Sequence, residues 1–125
     1  MNENRTILII DDSRVSRMMV KSIARQNYPE ARIFETANAD ETLALEITCE
    51  LTHIICDYNM PGMDGLSLCK ELQKDHPSSY ITLLTANIQA ALRNKAQDMG
   101  INFTKKPVTE ERILSILSKK GRKNA

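Results

Sequence analysis

The sequence predicts an α/β protein built on one doubly wound, five-stranded parallel sheet, and three observations lead to this prediction. Five short apolar segments rich in β-branched residues alternate with five segments of helical periodicity. The first and third apolar segments each end directly in aspartate. The 125 residues contain no linker, internal repeat or low-complexity tract, so the length suits a single domain. Strands that alternate with helices are typical of βαβ crossovers, and helices should therefore cover both faces of the sheet.

The strands are predicted from apolar runs that turn-forming residues interrupt. In chain order they cover residues 6–10, 31–36, 54–56, 80–85 and 101–105. The first helix should begin after Ser13, a good N-cap, and continue to about Gln26. Residues at helical spacing along it are expected to face the core, with the two methionines as core filler: Val15, Met18, Met19, Ser22 and Ile23.

The other four helices are predicted from caps, apolar spacing and breakers. The second begins at Asn38 in a capping-box pattern, and its apolar stripe is expected to run on to Leu51. The third begins near Asp64 and stops before Pro77. The fourth carries one apolar face and Gly100 as C-cap, and Thr109 caps the fifth. The inward residues of the fourth helix are predicted to be Ile88, Leu92, Ala96 and Met99, and those of the fifth helix Ile113, Ile116 and Leu117.

Composition narrows the classes of function. A net charge of +1 gives no reason to expect nucleic acid or a membrane surface as a partner. No apolar run approaches the roughly 20 residues of a membrane span. The three cysteines (Cys49, Cys56, Cys69) lie in apolar patterns without C-x-x-C spacing, so buried free thiols in a reducing cytoplasm are expected. We predict a leader over residues 1–5 without signal-peptide layout, a domain over 6–119 and a basic tail over 120–125 that frays.

Three acidic residues are predicted to meet at one edge of the sheet. Asp11 and Asp12 follow the first strand, and Asp57 ends the third. If these parallel strands are neighbours, their carboxyl ends lie together where open α/β sheets bind ligands. Acids before a helix can simply complement its dipole, but Ser13 already fills the cap position. Crowded carboxylates raise one another's pKa, so the cluster calls for a hard divalent cation such as Mg²⁺.

A hydroxyl and an ammonium complete the inventory at this edge. Thr85 ends the fourth strand, although capping the next helix would by itself explain it. Lys105 and Lys106 end the fifth strand on alternate faces, and spacing alone does not say which points back over the edge. Carboxylates, a divalent cation, a hydroxyl and a lysine are the groups that phosphoryl transfer to an aspartate requires.

Four short motifs at the strand ends give the chain a family resemblance. They are Asp11-Asp12-Ser13, the stretch from Asp57 to Gly65, Thr85-Ala86 and Lys106-Pro107. In this order they make residues 6–119 resemble the receiver domain of bacterial two-component response regulators, above all the stand-alone, chemotaxis-type members. The resemblance implies the (βα)5 flavodoxin-like receiver fold.

The resemblance also implies a Mg²⁺ site and a phosphoacceptor. Asp57 would accept the phosphoryl group, and Asp12 and Asp57 would coordinate Mg²⁺ directly. The backbone carbonyl of Asn59 would be a third ligand, and Asp11 would act through a metal-bound water.

The remaining roles that the resemblance implies concern the bound phosphoryl group and the switch. Thr85 would donate a hydrogen bond to the phosphoryl group. Lys106, which directly precedes the proline in a cis bond, would pair with its oxygens. Phe103 would be the switch aromatic, at a position where many chemotaxis members have tyrosine.

The function that follows from the resemblance is a phosphorylation-activated switch, not an enzyme acting on a separate substrate. Asp57 would receive its phosphoryl group from a sensor histidine kinase or a histidine phosphotransfer protein, and would lose it by slow hydrolysis. A downstream protein target would bind the face formed by residues 88–119. Three alternatives share the fold or the chemistry: an FMN-binding flavodoxin, whose phosphate the two acids would repel; a Mg²⁺-dependent phosphatase of the haloacid-dehalogenase kind, which uses D-x-D; and a binding module that works without phosphorylation.

Overall fold

The computed structural model describes residues 4–86 and 89–120, and within them it contains one parallel five-stranded sheet. The strands are β1 (Thr6–Ile10), β2 (Arg32–Thr36), β3 (His53–Asp57), β4 (Tyr80–Thr85) and β5 (Asn102–Lys105). Their order across the sheet is β2-β1-β3-β4-β5. The winding direction reverses between β1 and β3, and a reversal of this kind opens a crevice at the carboxyl ends of the two strands. The predicted fold class is confirmed.

Helices cover both faces of the sheet. They are α1 (Arg14–Asn27), α2 (Ala39–Ala44), α3 (Gly65–Asp75), α4 (Ala90–Asp98) and α5 (Glu110–Leu117). One core cluster joins α2, α3 and α4 to one face, and the other joins α1 and α5 to the opposite face. β3 lies between them and is buried along its whole length. None of the described helices is long and apolar enough to cross a bilayer.

The predicted caps begin four of the helices. The side chains of Ser13, Asn38, Asp64 and Thr109 each accept a hydrogen bond from the backbone N–H three residues later. Gly100 follows α4 with a φ of 73°, the left-handed conformation that glycine adopts without a Cβ penalty. Ile88, predicted to belong to the fourth helix, and the predicted frayed end after Lys120 lie outside the described residues.

The core-facing side of α1 was predicted correctly only in part, since Ile23 packs against the core as expected but other residues do not. Val20 and Ala24 are its buried residues, whereas Met18 and Met19 are 56% and 45% exposed and are therefore not core filler. Val15, from the same predicted stripe, is 67% exposed. Val20 and Ala24 instead belong to the core cluster that joins α1 and α5 to the sheet.

The second helix is also shorter than predicted. It ends at Ala44, and Leu43 and Leu45 are exposed. Leu51 is buried, but not as part of a helical stripe, since the next residue, Thr52, already donates its N–H to the carbonyl of Thr6 beside β1. The apolar spacing beyond Ala44 therefore belongs to a segment that leads into β3.

The amino edge of the sheet, opposite the acidic residues, holds the end of α5. Nε of Arg5 donates to the carbonyl of Leu117 at 2.8 Å. The ring of His53, which is 1% exposed, donates from Nε2 to the carbonyl of Lys119, also at 2.8 Å. Both ends of the described chain are therefore held together at this edge.

Candidate functional site

Two neighbouring strands bring the three acidic residues to one edge. The register pairs Ile10 with Cys56, so Asp11 and Asp57 are the next residues on β1 and β3 and lie side by side. Both are buried, whereas Asp12 is exposed. One carboxylate oxygen from each of the three residues lies within 4.8 Å of the other two. The structure thus assembles the acidic cluster from residues that are far apart in the chain.

Lys106 reaches the cluster from the turn after β5. Its Nζ lies 2.9 Å from Oδ1 of Asp57 and 3.6 Å from Oδ2 of Asp11. Its backbone N–H donates to the carbonyl of Thr85 at 2.9 Å, which ties the turn to the end of β4. The Lys106–Pro107 bond is cis, as the resemblance implies. Lys105, the other lysine that the spacing allowed, is exposed.

The electrostatics of the cluster are dominated by buried negative charge. Burial raises the pKa of Asp57; the hydrogen bond from Lys106 lowers it, and the charge of Asp11 raises it again. Burial likewise raises the pKa of Asp11. The backbone N–H of Ser13, which donates to Oδ1 of Asp11 at 2.9 Å, lowers this pKa but does not cancel the effect of burial. Burial alone would lower the pKa of Lys106, but the hydrogen bond to Asp57 and the nearby carboxylates raise it overall. The two buried carboxylates of the cluster therefore share the ammonium of Lys106.

The donor set fits a hard divalent cation. Mg²⁺ prefers oxygen ligands at about 2.0–2.1 Å, so oxygens within 4.8 Å of one another can share one ion or its bound waters. Asp12 keeps the cluster open to solvent on one side, which suits an ion that retains several waters. Asn59 lies two residues beyond Asp57 in an exposed turn, and its part as a ligand stays a prediction.

Thr85 and Phe103 lie on one face of the sheet, close to this edge. Thr85 is fully buried at the end of β4, and the register pairs it with Lys105. Phe103 precedes Lys105 by two residues and therefore points to the same face as Thr85. Its ring is half-buried, and the guanidinium of Arg93 lies 6.0 Å from the ring centroid. Their roles as hydrogen-bond donor and switch aromatic stay predictions.

Two arginines that sequence analysis did not single out hold the loops of the site. Nη1 of Arg17 donates to the carbonyl of Asp11 at 2.7 Å, and its Nε to Glu35 at 3.3 Å. Nη1 of Arg112 donates to the carbonyls of Lys105 and Pro107. A signal for Arg112 was available, because a cation in the first turn of a helix opposes the helix dipole and so needs another reason.

The comparisons with known proteins agree with this geometry. The family model described as the response regulator receiver domain matches residues 7–118. The chemotaxis protein CheY-3 of Vibrio cholerae is 30% identical over 125 residues, which cover 95% of this chain and 93% of that protein. The transcriptional regulatory protein ResD of Bacillus subtilis is 27% identical over 114 residues. That match covers 90% of this chain but only 46% of ResD.

Solved structures show the same fold. The chemotaxis response regulator CheY4 of Vibrio cholerae superposes with a TM-score of 0.80 at 24% identity, covering 93% of this chain and 98% of that one. The family model spans nearly the whole described chain, and the acidic cluster lies where the fold places its ligand crevice. The chain therefore belongs to the response regulator receiver domains.

Proposed function

We propose that this chain is a phosphorylation-activated signalling switch in which Asp57 accepts a phosphoryl group from a phosphohistidine. Receiver domains interact in general with sensor kinases and with downstream targets, and they are signalling switches rather than classic enzymes. The observation that carries the proposal is the buried carboxylate of Asp57 at a strand end, paired with Lys106 and flanked by two more acids. We also propose a cytoplasmic location, where a reducing environment keeps the three free thiols reduced.

The proposed reaction is a transfer between two nucleophiles. A carboxylate oxygen of Asp57 attacks the phosphorus of the donor; a P–O bond forms, the P–N bond breaks, and the histidine nitrogen leaves with the electron pair. Hydrolysis reverses the modification, because water attacks the same phosphorus and the carboxylate leaves. The transfer needs an ionised Asp57, and hydrolysis releases it again as a carboxylate. Burial raises the pKa of Asp57, and the hydrogen bond from Lys106 opposes this by favouring the ionised form.

Lys106 and Thr85 would hold the transferred group. Nζ of Lys106 lies 2.9 Å from Oδ1 of Asp57, so a phosphoryl group on this carboxylate brings its oxygens within reach of the ammonium. The Thr85 hydroxyl, on the neighbouring strand, would donate to another of these oxygens. Receiver domains bind Mg²⁺ at an acidic pocket in general. Here Asp11, Asp12, Asp57 and the carbonyl of Asn59 would hold the ion, which supplies positive charge to offset the phosphoryl oxygens.

The donor protein would dock over the exposed side of α1. This helix begins directly after Asp11-Asp12-Ser13, and its first turns present Val15, Met18 and Met19 to solvent. Together with Glu110 of α5 these side chains line a groove of about 450 Å³. A partner that brings a phosphohistidine to Asp57 must cover the surface around this edge, and flexible methionines suit such a contact.

The downstream target would bind the flank formed by residues 88–119, which adjoins α1 through α5. β5 is an edge strand of the sheet, and grooves border it on both sides. Phe103 lines both grooves, so a change in its position would alter the surface on either side. A response at Thr85 can therefore reach a partner through β5 without contact between the partner and Asp57.

Intact mass spectrometry tests the proposal. Incubation with acetyl phosphate and Mg²⁺ should add one phosphoryl group to the wild-type chain, and omission of Mg²⁺ should suppress the addition. Asp57→Asn keeps the shape and removes the nucleophile, so its mass should not change. Asp98→Asn, at the end of α4, is the matched control and should label as the wild type does. Labelling of Asp57→Asn at the wild-type rate would refute the assignment.

A further inference from the structure

Arg112 forms hydrogen bonds with the turn that carries Lys106, one before the lysine and one after it. Its Nη1 donates to the carbonyl of Lys105 at 2.9 Å and to the carbonyl of Pro107 at 3.0 Å. These two residues are the immediate neighbours of Lys106 in the chain. A single guanidinium nitrogen with two hydrogens thus bridges the peptide groups before and after the lysine.

The position of Arg112 within α5 is unfavourable on helix-dipole grounds. Arg112 lies three residues after the N-cap Thr109, among Glu110 and Glu111, which suit the positive end of the helix dipole. A cation at this position disfavours the helix, whereas its contacts lie outside the helix. The side chain is half-buried against the turn rather than extended into solvent.

Contacts with β4 also hold this turn. The N–H of Lys106 donates to the carbonyl of Thr85, and Lys105 pairs with Thr85 in the register of β4 and β5. The side chain must still span from there to Asp57 and Asp11. The hydrogen bonds of Arg112 add one attachment before Lys106 and one after it, and thereby restrict the orientation of the turn.

We propose that Arg112 is a positioning residue that orients Lys106 toward the phosphoacceptor Asp57. This inference rests on the proposed function, since the placement of Lys106 matters for phosphoryl transfer. Arg112 makes no direct contact with the carboxylates in this arrangement and acts through the backbone on both sides of the lysine. Group transfer is sensitive to displacements of about 1 Å, so the loss of one such restraint should be measurable in the rate.

The experiment compares labelling rates of variants of the 125-residue chain with acetyl phosphate at saturating Mg²⁺. Arg112→Ala should slow labelling roughly tenfold. Arg112→Lys keeps a cationic donor without the planar fork and should restore part of the rate. Thr109→Ala is the matched control: it removes the cap bond to the backbone N–H of Arg112 but leaves the guanidinium contacts. It should lower the melting temperature while the labelling rate stays within about twofold of the wild type.

A double-variant cycle identifies the route of the effect. If Arg112 acts through Lys106, then Lys106→Ala and the double variant Lys106→Ala/Arg112→Ala should label at the same rate. The proposal is overturned if Arg112→Ala labels like the wild type, if it slows labelling equally without Lys106, or if Thr109→Ala slows labelling as much as Arg112→Ala does.

A spectroscopic measurement separates failure of this inference from failure of the proposed function. The ¹³Cε signal of Lys106, assigned by its loss in Lys106→Ala, reports the contact with Asp57 whether or not the wild type accepts phosphate. If the wild type is not labelled, the proposed function is wrong. The signal of Lys106 then still tests whether Arg112 orients this lysine. Arg112→Ala should shift it and Thr109→Ala should not; an unshifted signal in Arg112→Ala overturns the inference.

Discussion

Gly65 lies so close to the backbone of Asp57 that no side chain fits between them. A Cβ at position 65 would lie 2.7 Å from Cα of Tyr58 and well inside contact distance of the carbonyl oxygen of Asp57. The N–H of Gly65 donates to the carbonyl of Tyr58 at 2.9 Å. The first residue of α3 therefore closes the loop that follows Asp57, the proposed phosphoacceptor.

Gly65→Ala should displace this loop and disturb Asp57. We expect a loss of about 1–3 kcal/mol in the free energy of unfolding, typical of overpacking, together with slower labelling by acetyl phosphate. Urea unfolding and intact mass measure the two effects. Gly62→Ala is the control: its φ of 82° is strained for alanine, but a Cβ there meets nothing within 4 Å. Equal labelling defects in the two variants would contradict a specific role for Gly65.

The proposed Mg²⁺ ligands Asp12 and Asn59 should differ in how much their binding of the ion depends on the side chain. Asp12→Ala removes a carboxylate from the cluster and should weaken Mg²⁺ binding by at least about tenfold. Asn59→Ala should change it far less, because only the backbone carbonyl of Asn59 is expected to bind the ion. A Mg²⁺ titration followed by NMR compares them. Equal losses in the two variants would show that the Asn59 side chain is itself a ligand.

Thr85→Ala should separate phosphorylation from its consequences. Asp57 should still accept phosphate, but the ring signals of Phe103 in NMR spectra should no longer shift when it does. A phenyl group gains roughly 1.5–3 kcal/mol when fully buried, which is similar to the free energy between two conformers, so a half-buried Phe103 can respond to movement of Thr85. If Thr85 is only a structural residue, the variant will lose stability while the Phe103 shift survives.

Stability should fall in mild acid because of His53. Burial lowers the pKa of His53 to about 4, from an ordinary value of 6.5. Between these values the unfolded chain binds a proton that the folded chain does not, so the free energy of unfolding falls as pH decreases from 6.5 toward 4, by up to about 3 kcal/mol. Below pH 4 this contribution should level off. Urea unfolding of the wild type and of His53→Gln at a series of pH values tests this prediction. Parallel plots of the free energy of unfolding against pH for the two proteins would contradict it.

The strand ends were predictable because each is marked by a change in chemistry. Asp11, Asp57 and Thr85 were found because each stands where an apolar run stops at an acid or a hydroxyl. Parallel strands bring such ends to the same edge of the sheet. The choice between Lys105 and Lys106 needed more than spacing. The turn after β5 bends away from strand geometry, so the alternation of faces that holds in β5 stops at that point.

Helix faces were harder to predict, since several residues in α1 have helical spacing and only packing selects among them. Met18 and Met19 are as apolar as core residues, yet Val20 and Ala24 lie against the sheet. The contacts of Arg112 depend on a long side chain that folds back seven residues to Lys105. No local pattern predicts such a contact, although the cation in the first turn of α5 was a sign of it.

The anchoring of α5 at the amino edge makes the chain suited to circular permutation. Arg5 holds the carbonyl of Leu117, and His53 holds that of Lys119, so a short flexible linker could join residue 120 to residue 4. Five-residue strands at about 3.3 Å per residue put this junction about 16 Å from the carboxylates. New termini could then be opened in the segment between α2 and β3, where Leu45 is exposed. A reporter fused there would leave both Asp57 and the flank formed by residues 88–119 uncovered.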